Sequence, residues 1–189
     1  RYIPPKDNII EKDWSNSAFF LTAGAIAAPV TLCGLDMSSL QSDKKIIEII
    51  EKFGAKISID NGEICVSAGK TNSIEQDMSQ IPDLLPILSV LACAAKGTSR
   101  FYNARRLRLK ESDRISASCQ MIRSLGGTAF EKDDELIVEG TGNLTGGEVD
   151  SFNDHRIAMS ASIASIICDE DVIIKRENAV NKSYPKFFT

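Results

Sequence analysis

The chain has 189 residues, of which 43% are hydrophobic and 25% are charged, and its formal net charge at pH 7 is −4. These values are typical of one globular domain, and the acidic total argues against a nucleic-acid-binding protein, which is usually basic. No apolar run reaches the roughly 18 residues of a membrane span, and the single histidine excludes a metal site built from several histidines. We therefore expect no nucleic-acid, membrane or metal partner.

Cysteine usage indicates the compartment. The five cysteines are odd in number, well separated and mostly set among apolar neighbours: Cys33, Cys65, Cys93, Cys119 and Cys168. This pattern predicts reduced, mostly buried thiols in a cytoplasmic protein, and it argues against a disulfide framework or a zinc site. The segment 1–5 also lacks the apolar stretch of a secretory signal.

Taken in chain order, one pair of elements occurs three times: a helix of small, apolar residues followed by a short strand. The pairs cover residues 18–28 and 30–33, 84–95 and 98–102, and 157–167 and 172–175. Because these helices are apolar on nearly all sides, we expect them to be buried. Their alanines and glycines allow close packing.

Between these pairs, an amphipathic helix and a hairpin occur twice. The first helix, at 46–53, ends at Gly54, and the second, at 115–125, ends at Gly126. Glycine most readily adopts the left-handed conformation that ends a helix. Each helix precedes two short strands around a polar turn, and the first turn, at 61–62, is Asn-Gly, a strong hairpin signal.

The sequence therefore repeats one unit: buried helix, strand, loop, surface helix and hairpin. The unit is used twice and begun a third time, and completing the third copy would need residues outside this chain. Such units predict a layered α/β domain in which sheets lie between the buried helices and the surface helices.

Charged residues mark the start of the second surface helix. Both copies contain Ser-Asp-basic, at 42–44 and 112–114, which fits a helix cap. Lys110 and Glu111 are specific to the second copy, since the first copy has Leu and Gln there. The fold alone therefore needs the cap but not this pair. From Arg100 to Arg114, six basic residues face two acids, which indicates either a small anionic ligand or a solvated helix entrance.

The second and third buried helices also open with charged residues. Asp83 follows Ile-Pro at the start of one, and Asp154, His155 and Arg156 open the other. Two interpretations remain open. The aspartates are helix caps with locally satisfied neighbours, or Asp83 is a catalytic carboxylate and Arg156 binds a carboxylate or phosphate.

Four segments closely resemble the 5-enolpyruvylshikimate-3-phosphate synthase family of enolpyruvyl transferases. In the order found in the family, they are IPD at 81–83, LRLKESDR at 107–114, DHRIAM at 154–159 and KSYP at 182–185. The resemblance implies two domains, each a pseudo-threefold set of βαβαββ units, with the catalytic cleft between them. It also implies that residues 1–189 are the C-terminal domain, about half of the enzyme, and that the chain alone folds without catalysing.

The resemblance implies transfer of the enolpyruvyl group of phosphoenolpyruvate to the 5-hydroxyl of shikimate 3-phosphate, with release of phosphate, in the shikimate pathway. It assigns Arg114, Arg156 and Lys182 to binding of phosphoenolpyruvate. It implies no metal or organic cofactor and a monomeric full enzyme whose partners are its two substrates and the other domain.

The remaining roles concern the acceptor and the protons. By resemblance, Lys110 contacts shikimate 3-phosphate near the reacting hydroxyl, Asp83 binds its ring and accepts a proton, and Glu111 takes part in proton transfer. His155 supports the site. Arg106 departs from the family, because several relatives have Asn at this position, where it touches the shikimate moiety, and its role is therefore open.

Two other functions are compatible with parts of the pattern. One is the sister transferase that acts on UDP-N-acetylglucosamine, which shares fold and donor, although we would not expect the Lys-Glu-Ser-Asp-Arg run there. The other is a non-catalytic repeat module that binds nucleic acid through the basic run at 100–114, against which the acidic total weighs.

Overall fold

The computed structural model describes residues 10–189, which contain five α-helices and nine β-strands. In chain order these are α1 (Trp14–Ile26), β1 (Val30–Cys33), α2 (Ile46–Phe53), β2 (Lys56–Asp60), β3 (Glu63–Ser67), β4 (Glu75–Asp77), α3 (Leu85–Cys93), β5 (Lys96–Tyr102), α4 (Arg114–Ser124), β6 (Thr128–Glu131), β7 (Leu136–Thr141), β8 (Gly147–Asp150), α5 (His155–Ala164) and β9 (Val172–Lys175). Short 3-10 helices at Ser42–Lys45, Pro82–Leu84 and Arg105–Leu109 carry residues of the candidate site.

The strands form three sheets. β1, β3 and β2 make an antiparallel sheet, and β4, β5, β7 and β6 make a second sheet in which only the β4–β5 pair is parallel. β8 and β9 form a parallel pair. Each parallel pair is joined across a buried helix, α3 or α5, because parallel neighbours need a crossover connection. The stretch from β4 to β7 therefore has the complete order β-α-β-α-β-β.

Three helices form the centre of the domain. α1, α3 and α5 contact one another, and every residue of α3 is buried. Gly24 on α1 lies so close to β3 that a Cβ atom there would be 2.9 Å from the Val66 carbonyl oxygen. The predicted buried helices are thus confirmed, and Gly24 shows the predicted close packing, whereas Ala27 lies beyond the end of α1 and is exposed. Within residues 10–189, no helix combines the length and the apolar character that crossing a membrane requires.

The two amphipathic helices lie outside this centre. In α2, one stripe is buried (Ile46, Ile49, Ile50 and Phe53), while the opposite side is exposed. Each large apolar side chain buried in this way stabilises the fold by roughly 1.5–3 kcal/mol. Both helices end where predicted, because Gly54 and Gly126 follow them with φ of 112° and 80°.

Local signals explain the other boundaries. α1 begins earlier than predicted because Asp13 caps it, accepting hydrogen bonds from the backbone N–H groups of Ser15 and Asn16. The Asn61-Gly62 turn has both φ angles positive, at 47° and 79°, which matches the twist of the β2–β3 hairpin. The second predicted hairpin is formed by β6 and β7.

Two expectations need correction. The strands β4 and β8 were not predicted, since they are three and four residues long and are rich in acidic, Gln and Gly residues. The thiols are all free, but only Cys93 and Cys119 are buried. Cys33 is exposed because it lies on the outward-facing positions of β1, where burial alternates along the strand.

Candidate active site

Asp83 is the centre of a cluster of cations. It lies in the 3-10 helix before α3, and its carboxylate is 3.1 Å from Lys110 Nζ, 2.7 Å from Arg114 Nη1 and 3.4 Å from Arg156 Nη2. Asp83 lies in the first turn of the 3-10 helix, where the helix dipole favours a carboxylate, but no side chain forms a capping hydrogen bond to this helix or to α3. Cations from three separate segments of the chain converge on one carboxylate instead.

Asp154 holds one of these cations in place. It is fully buried, and it accepts two hydrogen bonds from the 2% exposed Arg114, at 2.8 Å from Nε and 3.2 Å from Nη2. It also caps α5 through the Arg156 backbone N–H and accepts from the Ser112 hydroxyl. The cap belonged to one of the two interpretations that the sequence left open. The bidentate pair, which fixes the direction of the Arg114 guanidinium toward Asp83, was not predicted.

A second cluster surrounds Glu111. Its carboxylate oxygen Oε2 lies 3.2 Å from His155 Nδ1 and 3.4 Å from Lys182 Nζ. Lys182 also donates a hydrogen bond to the Asn153 carbonyl, next to the Asp154 cap. Seven of the eight residues to which the family resemblance gives a role therefore lie in two clusters joined through α5.

Arg156 is only partly satisfied by the protein. It is 8% exposed, and its Nε has no hydrogen-bond partner among the described residues. Its contacts to Asp83 are long, at 3.4 Å to the carboxylate and 3.5 Å to the carbonyl oxygen. A buried guanidinium with unused donors is costly unless an anionic ligand completes its hydrogen bonds.

The two clusters together favour an anion. Four cations (Lys110, Arg114, Arg156 and Lys182) face three carboxylates (Asp83, Glu111 and Asp154), in a chain whose net charge is −4. The N-terminus of α5 adds the partial positive charge of its free backbone amides. Of the two interpretations of the basic run, this local excess of positive charge favours a small anionic ligand over a solvated helix entrance.

The eighth residue, Arg106, stands apart from the clusters. It lines a cleft of about 330 Å³ with Asp83, and it forms no ion pair within residues 10–189. The rest of the cleft wall is polar apart from one proline: Ser15, Gln41, Ser42, Asp43, Ser79, Gln80 and Pro82. Arg106 therefore offers a free cation beside Asp83, on the side facing the first repeat.

The other arginines of the basic run are occupied elsewhere. Arg100 pairs with Glu135, and Arg108 lies 2.7 Å from Asp113 and 3.2 Å from Glu131. These pairs divide the run, so that it does not form a continuous basic stripe of the kind that binds nucleic acid. Only Arg106, Lys110 and Arg114 face the candidate site.

Glu111, Asp154 and His155 raise the question of a metal. Their ligand atoms lie within 4.8 Å of one another, a spacing that one ion can span. The Arg114 guanidinium and the Lys182 ammonium already pair with two of these groups. The charges of both carboxylates are therefore already balanced without a further cation.

The surroundings also set the protonation of the two aspartates. Burial alone would raise the pKa of Asp83, but the charge of Arg156 and the hydrogen bond and charge of Lys110, with Arg114, outweigh it and lower the pKa. Burial likewise opposes ionisation of Asp154, and its hydrogen bonds and attraction to Arg114 again produce a lowered pKa. Both groups are anionic at neutral pH.

This lowering predicts a pH dependence of stability. A carboxylate whose folded pKa lies below the ordinary value of 3.8 stabilises the protein fully above that value and loses the contribution as the pH falls toward the folded pKa. We expect the urea midpoint of the chain to drop as the pH falls below about 5. Asp83→Asn should reduce this drop, whereas the exposed control Asp60→Asn should not. Equal pH dependence in all three proteins would contradict the ion pairs at Asp83.

Sequence reasoning missed part of the cleft. The first-copy motif at 42–44 was expected to cap α2, but α2 has no side-chain cap, and Asp43 accepts a hydrogen bond from the Ser15 hydroxyl instead. Ser15 and Gln41 were not singled out either. The repeat brought attention to Asp43, but it suggested the role of its counterpart Asp113, which does cap α4.

The fold and the two charged clusters define an α/β domain that offers several fixed cations and carboxylates to a small anionic ligand. The chain belongs to the EPSP synthase (3-phosphoshikimate 1-carboxyvinyltransferase) family, whose model matches residues 3–189. The resemblance found in the four motifs is thereby confirmed.

Individual proteins of this family are similar to the chain over most of its length. A protein of Clostridium novyi named 3-phosphoshikimate 1-carboxyvinyltransferase is 46% identical over 97% of this chain and 42% of its own length. A protein of the same name from Clostridium acetobutylicum is 44% identical over 95% of this chain and 42% of its own length. A solved EPSP synthase from Acinetobacter baumannii superposes with a TM-score of 0.86 at 30% identity, covering 94% of this chain and 44% of that structure. The chain spans less than half the length of these relatives.

Proposed function

We propose that the chain is the C-terminal domain of a two-domain 3-phosphoshikimate 1-carboxyvinyltransferase. With its other domain it would transfer the enolpyruvyl group of phosphoenolpyruvate to the 5-hydroxyl of shikimate 3-phosphate and release phosphate. The observation that carries the proposal is the convergence of Lys110, Arg114 and Arg156 on Asp83, in a chain whose relatives bear that name. Below, "the two-domain protein" means this chain joined to that other domain.

The donor would bind to Arg114, Arg156 and Lys182. A phosphate group carries about −1.5 to −2 charges near neutral pH, and the carboxylate of phosphoenolpyruvate adds one more. Arg156 supports this assignment with its unused buried donors, and Arg114 does so because Asp154 fixes its direction. Fixed cations of this kind also stabilise the charge that develops as phosphate leaves.

The acceptor would lie beside Asp83 and Lys110. Asp83 is ionised and can accept the proton of the 5-hydroxyl as that oxygen attacks the substituted carbon of phosphoenolpyruvate. Lys110, 3.1 Å from Asp83, can stabilise the developing negative charge on the same oxygen. Arg106, in the adjoining cleft, would contact an anionic or polar group of the shikimate moiety.

The vinyl carbon needs a proton in the first step and gives one up in the second. Glu111 is the candidate for both transfers, because it is accessible to solvent and lies 3.2 Å from His155 and 3.4 Å from Lys182. Protonation of the vinyl carbon and attack on its neighbour form a tetrahedral ketal. Loss of phosphate and of a methyl proton then regenerates the enol ether. His155 would support Glu111 by hydrogen bonding.

The proposal also covers the cofactors, the compartment and the partners of the enzyme. Side chains alone supply the acid, the base and the charge neutralisation, so the reaction as written needs no metal or organic cofactor. The five free thiols support a reducing compartment, which we propose is the cytoplasm. We further propose that the two-domain protein is a monomer that has no nucleic-acid or membrane partner.

The test is an assay of phosphate release by the two-domain protein. With phosphoenolpyruvate as donor, we expect turnover on shikimate 3-phosphate and none on UDP-N-acetylglucosamine. The reverse preference would assign the chain to the sister transferase, and turnover on neither would refute the proposal. The 189-residue chain alone should be inactive, and detectable turnover by it would contradict the two-domain assignment.

A further inference from the structure

Asp43 departs from the internal repeat in a way that the fold does not require. Its counterpart, Asp113, caps α4 by accepting from the Ser116 backbone N–H and pairs with Arg108. Asp43 occupies the same place before α2 but caps nothing, and its carboxylate accepts from Ser15 on α1. A residue that gives up a stabilising local role is a marker of function.

The carboxylate of Asp43 is buried but incompletely partnered. It is 6% exposed and forms no ion pair within residues 10–189. The Ser15 hydroxyl bonds to Oδ2, and the described residues supply no hydrogen-bond donor to Oδ1. The residue as a whole is buried, but Oδ1 itself is open to the cleft, where water or a ligand can complete its hydrogen bonds.

Asp43 lines the cleft that also contains Asp83 and Arg106. Both carboxylates line it, together with the unpaired Arg106 and several hydroxyl and amide side chains. Burial is the largest influence on Asp43 and raises its pKa, while the Ser15 hydrogen bond and the charge of Arg156 oppose that rise, and the charge of Asp83 adds to it. No cation of the described residues pairs with Asp43, so its Oδ1 keeps its capacity to accept a hydrogen bond. Such a wall suits a ligand that carries hydroxyl groups.

We propose that Asp43 is a specificity-determining residue that accepts a hydrogen bond from the non-reacting ring hydroxyl of the acceptor. Shikimate 3-phosphate has two free ring hydroxyls, at positions 4 and 5, and the 5-hydroxyl is the one that reacts at Asp83 and Lys110. Asp43 would therefore bind the 4-hydroxyl. This inference rests on the proposed function, because it assumes that the acceptor lies beside Asp83.

The test compares wild-type and Asp43→Asn two-domain proteins on shikimate 3-phosphate and on its 4-deoxy analogue. For the wild type, the KM of the deoxy analogue should be about tenfold higher or more, because a hydrogen bond to a carboxylate is lost. Asp43→Asn should raise the KM of shikimate 3-phosphate by a smaller factor and discriminate less between the two acceptors than the wild type does, because a neutral amide oxygen is a weaker acceptor than a carboxylate. Its KM for phosphoenolpyruvate should stay within about twofold of the wild-type value.

Thermal melting distinguishes a structural role of Asp43 from a role in binding the acceptor. Asn has the shape of Asp and removes an unpaired buried charge, so we expect Asp43→Asn to melt at or above the wild-type temperature. A lower melting temperature with unchanged discrimination would identify Asp43 as structural and overturn the inference. Ser15→Ala provides a second variant, which should also weaken discrimination between the two acceptors, because it releases the carboxylate of Asp43.

The outcomes distinguish this inference from the proposed function. If the wild type transfers nothing to shikimate 3-phosphate, the proposed function fails. If the wild type is active and Asp43→Asn and Ser15→Ala both discriminate as it does, the inference fails while the proposed function stands. Asp150→Asn, a surface carboxylate paired with Arg176, should retain the wild-type values for both acceptors.

Discussion

Lys110→Ala in the two-domain protein should reduce turnover by about 10²- to 10³-fold, the usual cost of removing one group that stabilises charge in the transition state. Its melting temperature should change little. Lys110 is one-third exposed, and its ion pair with Asp83 is of the partly exposed kind that contributes about 1 kcal/mol or less. Steady-state kinetics and thermal melting of the same preparation measure both quantities.

Lys132→Ala is the matched control for Lys110→Ala. Lys132 also pairs with a carboxylate, that of Glu135, but it lies away from the candidate site and should leave turnover unchanged. Asp83→Asn should reduce turnover by a similar factor, because it removes the proposed proton acceptor. If Lys110→Ala lost stability and activity together, the lysine would have a structural role and the proposed contact with the acceptor would be wrong.

Asp154→Ala should destabilise the chain by about 3–5 kcal/mol, the largest stability effect that we expect from one substitution. The change leaves the guanidinium of Arg114, which is 2% exposed, without its buried partner, and it also removes the cap of α5. Urea unfolding of the 189-residue chain at neutral pH measures the loss.

Asp150→Ala is the control for that loss. Asp150 also pairs with an arginine, Arg176, but both side chains are substantially exposed. The cost of losing an exposed pair is about 1 kcal/mol or less. If Asp154→Ala lowered the free energy of unfolding no more than Asp150→Ala does, the buried ion pair would not hold Arg114 in place. The proposal that Arg114 is a fixed binding group for phosphoenolpyruvate would then lose its physical basis.

The helices and hairpins could be predicted because each follows from local chemistry. α3 is apolar on all sides and α2 has one apolar stripe, so burial and exposure follow from periodicity. Gly54, Gly126 and the Asn-Gly turn mark ends that only a few residue types permit. These features need no knowledge of the rest of the fold.

Other elements depend on distant partners and were therefore missed. β4 and β8 are strands only because β5 and β9 supply parallel neighbours, and their own residues are polar. Burial of the cysteines depends on which side of a strand faces the core, which composition does not show. This is why Cys33 is exposed although its neighbours are apolar.

The candidate site divides in the same way. The extra Lys110-Glu111 pair could be found by comparing the two repeat copies, and the charged helix starts by their cost in an apolar setting. The contacts between these side chains could not be predicted from the sequence. Lys182 and Glu111, for example, are 71 positions apart and meet only in the folded domain. The ion pair of Asp154 with Arg114 and the hydrogen bond of Asp43 with Ser15 likewise depend on packing between helices.

The most direct measurement is a crystal structure of the two-domain protein with phosphoenolpyruvate and shikimate 3-phosphate bound under conditions that slow turnover. We expect the phosphate and carboxylate of the donor within hydrogen-bond distance of Arg114, Arg156 and Lys182, and the 5-hydroxyl of the acceptor within that distance of Asp83. A donor bound away from these three cations, with Arg156 Nε still unpartnered, would contradict the account.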